Sequence, residues 1–96
     1  MLNKALPLGS TIGILGDGQL GRMLSQAASR LGFKVVTFGP DAGSPAAQVS
    51  LASKVAAYTD EAVLARLAES CDVITFEFEN VPAASLDFLT GKGAVV

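Results

Sequence analysis

Two stretches of the chain carry residues whose types and spacing could do chemistry. The first is Gly16-Asp17-Gly18-Gln19-Leu20-Gly21, which fits G-x-G-x-x-G directly after the apolar run Thr11–Leu15. In such a turn Gly16 permits a tight exit from a strand, Gly18 lets another group come close to the backbone, and Gly21 lets the following helix pack hard on a sheet. The first N–H groups of that helix then face the crevice at the strand ends, where an anion is welcome. The second stretch is Glu77-Phe78-Glu79-Asn80, directly after Val73-Ile74-Thr75-Phe76. In extended backbone Glu77 and Glu79 share a face and Phe78 points the other way. A carboxylate there can accept hydrogen bonds from the hydroxyl or amine groups of a ligand. It can equally offset the dipole of the helix that follows, a reading that suits Glu79 better than the more distant Glu77. Neither glutamate has an evident partner, so neither is assigned as a general acid or base.

Strands alternating with helices must position these residues. Thr11–Leu15 reads as a strand buried on both faces. A helix follows over about Gln19–Leu31, with Leu20, Met23, Leu24, Ala27, Ala28 and Leu31 forming an apolar stripe expected to pack into the core. Gly32 ends it as a left-handed cap. Arg22 and Arg30 fall off the stripe and are expected to face solvent. Lys34–Phe38 is the second strand, completing a right-handed βαβ unit. Pro45–Val49 can form a helical turn capped by Ser44 with Pro45 at its first position. Lys54–Tyr58 is a weak alanine-rich strand. Thr59 or Asp60 caps a helix over about Glu61–Glu69. Cys71 is expected to pack as a small buried hydrophobe, since no histidine exists to activate it. Asp72–Phe76 is a buried strand, and Ala83–Thr90 a helix with Pro82 near its first turn. The alternation predicts an open, parallel, doubly wound sheet with helices on both faces.

Bulk properties narrow the classes. The chain has 96 residues, half of them hydrophobic and 17% charged, which suits one small packed domain. A net charge of −2 argues against a nucleic-acid footprint. No run of about 18 apolar residues predicts a membrane span. With no histidine and a single cysteine, neither a zinc site nor an internal disulfide is expected. All this suits a reducing cytoplasm. Residues 1–10 read as a leader. Ala94-Val95-Val96 reads as the start of a further buried strand, so the expectation is the N-terminal domain of something longer, cut as that strand begins.

A nicotinamide dinucleotide site wants an acid at the end of the second strand, about twenty residues past the glycines. Gly39 stands there, and Asp41 comes two residues later. Asp17 also puts a negative charge in the loop that would face pyrophosphate. Both features count against a dehydrogenase.

Three stretches together carry a resemblance: Ile12–Met23 around Gly-Gln-Leu-Gly-Arg-Met, Asp41–Val49, and Asp72–Pro82 with Glu-Phe-Glu-Asn-Val. In this order and spacing they resemble the opening of the ATPase subunit of phosphoribosylaminoimidazole carboxylase, also called carboxyaminoimidazole ribonucleotide synthase, of the ATP-grasp superfamily. The chain departs from that family at Asp17, where glycine is usual, and at Gly39, where aspartate is frequent. The resemblance implies a Rossmann-like pre-ATP-grasp domain over residues 11–96, preceding ATP-grasp and C-terminal domains that this chain does not contain. It implies a ligase of purine biosynthesis that carboxylates aminoimidazole ribonucleotide with bicarbonate, using ATP and magnesium held by the later domains, in a cytoplasmic homodimer. This domain alone would be inactive and would bind neither ATP nor metal. By similarity to the related formate-dependent glycinamide ribonucleotide transformylase, Gln19, Leu20 (through its backbone) and Glu77 would face the ribonucleotide, with Gly18, Glu79 and Asn80 beside them. Alternatives are another ATP-grasp ligase of the same branch, a nicotinamide-dependent oxidoreductase domain, and a Rossmann-like docking module.

Overall fold

A computed structural model describes residues 7–16, 18–40, 43–76, 82–93 and 95. The element order is β1 (Thr11–Leu15), α1 (Gln19–Arg30), β2 (Lys34–Gly39), a single 3-10 turn (Ala47–Val49), β3 (Ala52–Val55), α2 (Glu61–Ser70), β4 (Val73–Phe76) and α3 (Ala83–Gly91). The four strands form one all-parallel sheet in the order β3-β2-β1-β4. The central strand β1 is set by register: Leu15 lies opposite Phe38 of β2 and Phe76 of β4, so three strands end level at one edge. The Val95 carbonyl accepts from the Ile74 N–H at 2.8 Å, on the β4 edge away from β1. Backbone pairing therefore continues there, although the Val95 side chain is 44% exposed.

The sheet divides two apolar layers. On one side Leu15, Val36, Phe38 and Ile74 pack against Leu64 and Leu67 of α2 and Leu89 of α3. On the other, Ile14 and Val35 meet Ala28 of α1. Full burial of each large side chain contributes roughly 1.5–3 kcal/mol. The Phe38 and Tyr58 rings meet edge-on, with centroids 5.5 Å apart. Gly13 leaves no room for a side chain: a Cβ there would sit 2.8 Å from Cys71 Sγ and 3.2 Å from Ile74 Cγ1.

Helix α1 departs from its predicted packing. Its sheet-facing residues are Gly21, Ser25 and Ala28, all buried. The predicted core residues Leu20 (63% exposed), Met23, Leu24 and Leu31 lie outside. The reason is distance. The small residues let the helix axis approach the sheet closely, and the Ser25 hydroxyl is satisfied by donating to the Gly21 carbonyl at 2.7 Å. At about 100° per residue the leucines then fall on one flank, while Arg22, Gln26 and Ser29 fall on the other. Ala27 is half-buried between them.

The ends of α1 and α2 behave as their sequences predict. Gly32 takes φ +93°, its N–H donates to the Ser29 carbonyl and the Phe33 N–H to the Ala28 carbonyl, a Schellman closure of α1. Asp60 caps α2, its Oδ1 accepting from the Val63 N–H at 3.2 Å. β3 lies two to three residues earlier than its predicted span, because the Leu51 N–H donates to the Val35 carbonyl and the Ala56 N–H to that of Gly39, pinning Ala52–Val55 between them. β4 starts at Val73 rather than Asp72, and of its residues only Ile74 is fully buried. Asp72 instead staples the start of β1: its Oδ2 accepts from the Thr11 N–H at 2.7 Å.

Candidate ribonucleotide-facing edge

The glycine turn does what its pattern predicts. The Gly16 N–H donates to the Phe38 carbonyl at 2.9 Å, which extends the β1–β2 ladder one residue past the strand. Gly16 then turns the chain at φ +135°, a conformation that costs a side-chain-bearing residue dearly. Gly18 is the extended residue before α1 and, having no side chain, supplies no cap bond of its own. The first helical bond runs from the Arg22 N–H to the Gly18 carbonyl at 3.0 Å. The N–H groups of Gln19, Leu20 and Gly21 precede it and have no carbonyl of the helix to donate to. No acidic residue occupies the first turn, the end of the helix at which the dipole favours negative charge. Gly18, Gln19 and Leu20 are exposed, and a Cβ at Gly18 would touch nothing within 4 Å. The three sequence-predicted residues of this turn thus stand together, open, at the carboxyl edge of the sheet.

β4 delivers the chain to the same edge at Phe76, opposite Leu15. Glu77, Glu79 and Asn80 follow it and lie outside the described residues, as do Asp17 and Asp41. Gly39 is buried at the end of β2, and β2 brings no carboxylate to this edge.

The segment after β2 holds a feature not predicted from sequence. Arg22 is half-buried rather than solvated, and its Nη1 donates to Gln48 Oε1 at 3.5 Å. The Gln48 side-chain amide in turn donates to the Gly43 carbonyl at 3.0 Å. Ser44 Oγ accepts from the Ala47 N–H at 3.3 Å, as the predicted cap would, but the 3-10 turn covers only Ala47–Val49, so Ala46 stands in the N-cap position and Pro45 precedes the turn. The sequence signal for Gln48 was its place in that capped turn; its partner Arg22 lies 26 residues away and belongs to another element.

Two surface hollows lie elsewhere. One, of about 100 Å³, lies between the starts of α2 and α3 and is lined by Thr59, Glu61, Leu64, Ala84, Ser85 and Phe88. The other lies beside Gln26, Ser29, Arg30 and Val49. Neither contains a residue of the glycine turn. Cys71 is half-buried against the core rather than fully buried; desolvation holds its thiol above the usual 9.0, the neighbouring Asp72 charge adds to this, and a contact with Ser70 opposes it. Among the described residues no three His, Cys, Asp or Glu side chains converge as metal ligands, and no helix is long and apolar enough to cross a membrane.

This geometry agrees with known proteins. Residues 9–96 match the family described as the ribonucleotide synthetase preATP-grasp domain. The chain is 53% identical over its whole length to an N5-carboxyaminoimidazole ribonucleotide synthase of Brucella melitensis, of which it covers 26%. Its fold is similar to the N5-carboxyaminoimidazole synthetase of Staphylococcus aureus crystallised with ADP: TM-score 0.89, 44% identity, 94% of this chain and 24% of that one. It is also similar to the Aspergillus clavatus synthase in complex with ADP and 5-aminoimidazole ribonucleotide, with TM-score 0.78, 34% identity, and 91% and 23% coverage. The chain thus spans about a quarter of the length of these relatives. A parallel sheet with a glycine turn at its carboxyl edge, matched along nearly the whole sequence, places the chain in the ribonucleotide synthetase preATP-grasp domain family.

Proposed function

We propose that this chain is the substrate-side domain of an ATP-dependent carboxyaminoimidazole ribonucleotide synthase, a ligase of purine biosynthesis. Residues 11–96 form the N-terminal domain, residues 1–10 a leader, and the ATP-grasp and C-terminal domains belong to the remainder of the full-length enzyme. The reaction joins aminoimidazole ribonucleotide and bicarbonate at the expense of ATP, giving the N-carboxylated ribonucleotide, ADP and phosphate. The observation that carries this reading is the open first turn of α1, in which the N–H groups of Gln19 and Leu20 have no helix carbonyl to donate to and no acidic residue stands within the turn. Such a turn suits a phosphorylated ligand, and a relative sharing this fold was crystallised with 5-aminoimidazole ribonucleotide.

In this reading Gly18 lets the ribonucleotide approach the backbone, and Gln19 and Leu20 offer N–H groups to it. Glu77 accepts hydrogen bonds from ribose hydroxyls or the amine, with Glu79 and Asn80 beside it. These residues bind and orient. ATP and magnesium are held by the other domains. ATP supplies the energy that activates bicarbonate. The domain alone is inactive, and the full-length enzyme is a cytoplasmic homodimer.

The test is ADP release by the full-length enzyme with ATP, magnesium and bicarbonate, with and without aminoimidazole ribonucleotide. The expected result is release that depends on the ribonucleotide. Glu77→Ala and Gln19→Ala are expected to raise KM for the ribonucleotide and leave KM for ATP unchanged. An effect of Gln19→Ala on ATP alone would place the turn at the wrong ligand.

A further inference from the structure

The contacts of Gln48 join two segments that the chain keeps far apart. One is the first turn of α1, where Arg22 follows the glycine turn by a single helical step, its N–H donating to the Gly18 carbonyl. The other is the segment after β2, which starts beside the glycine turn because Gly16 pairs with Phe38. Gln48 accepts from Arg22 through Oε1 and donates to Gly43 through its amide nitrogen. A side-chain amide is suited to this, since it carries a donor and an acceptor on one rigid plane. Gly43 sits at φ +69°, so the segment bends there. The base of the bend is braced separately: the Gln48 N–H donates to the Ser44 carbonyl at 3.1 Å, and the Ser50 hydroxyl to that of Ala46 at 2.7 Å. Gln48 itself is exposed. It contributes nothing to the core, so its side-chain contacts act on the edge.

We infer that Gln48 is a positioning residue for the ribonucleotide. It clasps residues 43–48 to the first turn of α1 and so holds in place the turn from which Gln19 and Leu20 present their N–H groups. The inference rests on the proposed substrate side of this edge. Gln48 does not touch the reacting atoms; it acts through Arg22 and Gly43.

The experiment uses the full-length enzyme carrying Gln48→Met, which keeps the stem and removes both hydrogen bonds. KM for aminoimidazole ribonucleotide is expected to rise about tenfold, which corresponds to about 1.4 kcal/mol. KM for ATP and kcat at saturation are expected to stay within about twofold, since chemistry and nucleotide lie elsewhere. Combining Arg22→Met with Gln48→Met is expected to add little beyond either alone, because both break one clasp. Amide hydrogen exchange at Ala47, Gln48 and Val49 is expected to quicken in the variant. An unchanged ribonucleotide KM, a matching rise in KM for ATP, additive effects of the two substitutions, or unaltered exchange would each overturn the inference. The exchange arm needs no turnover. An enzyme without ribonucleotide-dependent ADP release would refute the functional reading, while exchange still decides whether the clasp exists.

Discussion

Gly13→Ala puts the tight packing against β1 to a quantitative test. Gly13 lies in the middle of β1 in ordinary extended backbone, so alanine meets no conformational penalty there. Loss of glycine from the unfolded chain would by itself stabilise by about 0.4–1 kcal/mol. Against this, the new methyl would lie 2.8 Å from Cys71 Sγ, 3.2 Å from Ile74 Cγ1 and 3.4 Å from Leu67 Cδ1. The first of these distances is untenable, and Ile74 and Leu67 are themselves fully buried and unable to retreat. Overpacking of this kind costs about 1–3 kcal/mol. The net expectation is a loss of about 1–2 kcal/mol, read as a lowered urea midpoint with an unchanged slope. Cys71→Ala removes the clashing sulfur. The Gly13→Ala, Cys71→Ala double variant is therefore expected to recover at least half of the loss, a coupling of about 1 kcal/mol. A Gly13→Ala chain as stable as the parent, or a double variant no better than the single one, would refute the close-packing account of this glycine.

Three further outcomes follow from the same structure. Burial holds the Cys71 thiol above 9.0, so above about pH 9 the unfolded chain releases a proton that the folded chain retains; stability is expected to fall with rising pH there, and Cys71→Ala to flatten that slope in urea titrations at a series of alkaline pH values. Thr37 Oγ1 is buried without a hydrogen-bond partner among the described residues, so Thr37→Val should be neutral or stabilising by up to about 1 kcal/mol, read by the same denaturation. Met23→Gln and Leu31→Gln on the outer flank of α1 should change stability by less than about 0.5 kcal/mol, whereas Ala28→Leu, on the buried side, should cost about 1–3 kcal/mol; the reverse ranking would mean that the helix packs on its leucines.

Much of this molecule was legible in local chemistry. The isoleucine-rich run before a glycine turn marks β1 because a strand buried on both faces needs continuous apolar residues. Gly32 and Asp60 mark helix ends because only certain residues satisfy the free backbone groups there. The strand–helix alternation implies a parallel sheet, and the carboxyl edge of that sheet gathers the glycine turn and the end of β4 whatever the side chains between them. The resemblance carried by Gly-Gln-Leu-Gly-Arg-Met and Glu-Phe-Glu-Asn-Val reached the family from residue types and order alone, the two runs standing just after the apolar stretches that form β1 and β4.

What only the tertiary structure decided concerns distance across elements. The periodicity of Leu20, Met23, Leu24 and Leu31 identifies an apolar flank of α1, but a period carries no information on how near the sheet lies. Gly21, Ser25 and Ala28 form an equally periodic stripe of small residues, and close approach of helix to sheet selects it. The bounds of β3 came from hydrogen bonds to Val35 and Gly39, because its alanine-rich sequence has little side chain with which to choose a register. Gly13 looks like any strand residue until Cys71 is placed against it. Gln48 looks like a solvated amide until the fold brings Arg22 and Gly43 to its two ends. Local sequence determines which conformations a segment can adopt; which of its faces is used depends on the space its neighbours leave, and that is settled only when the chain has folded.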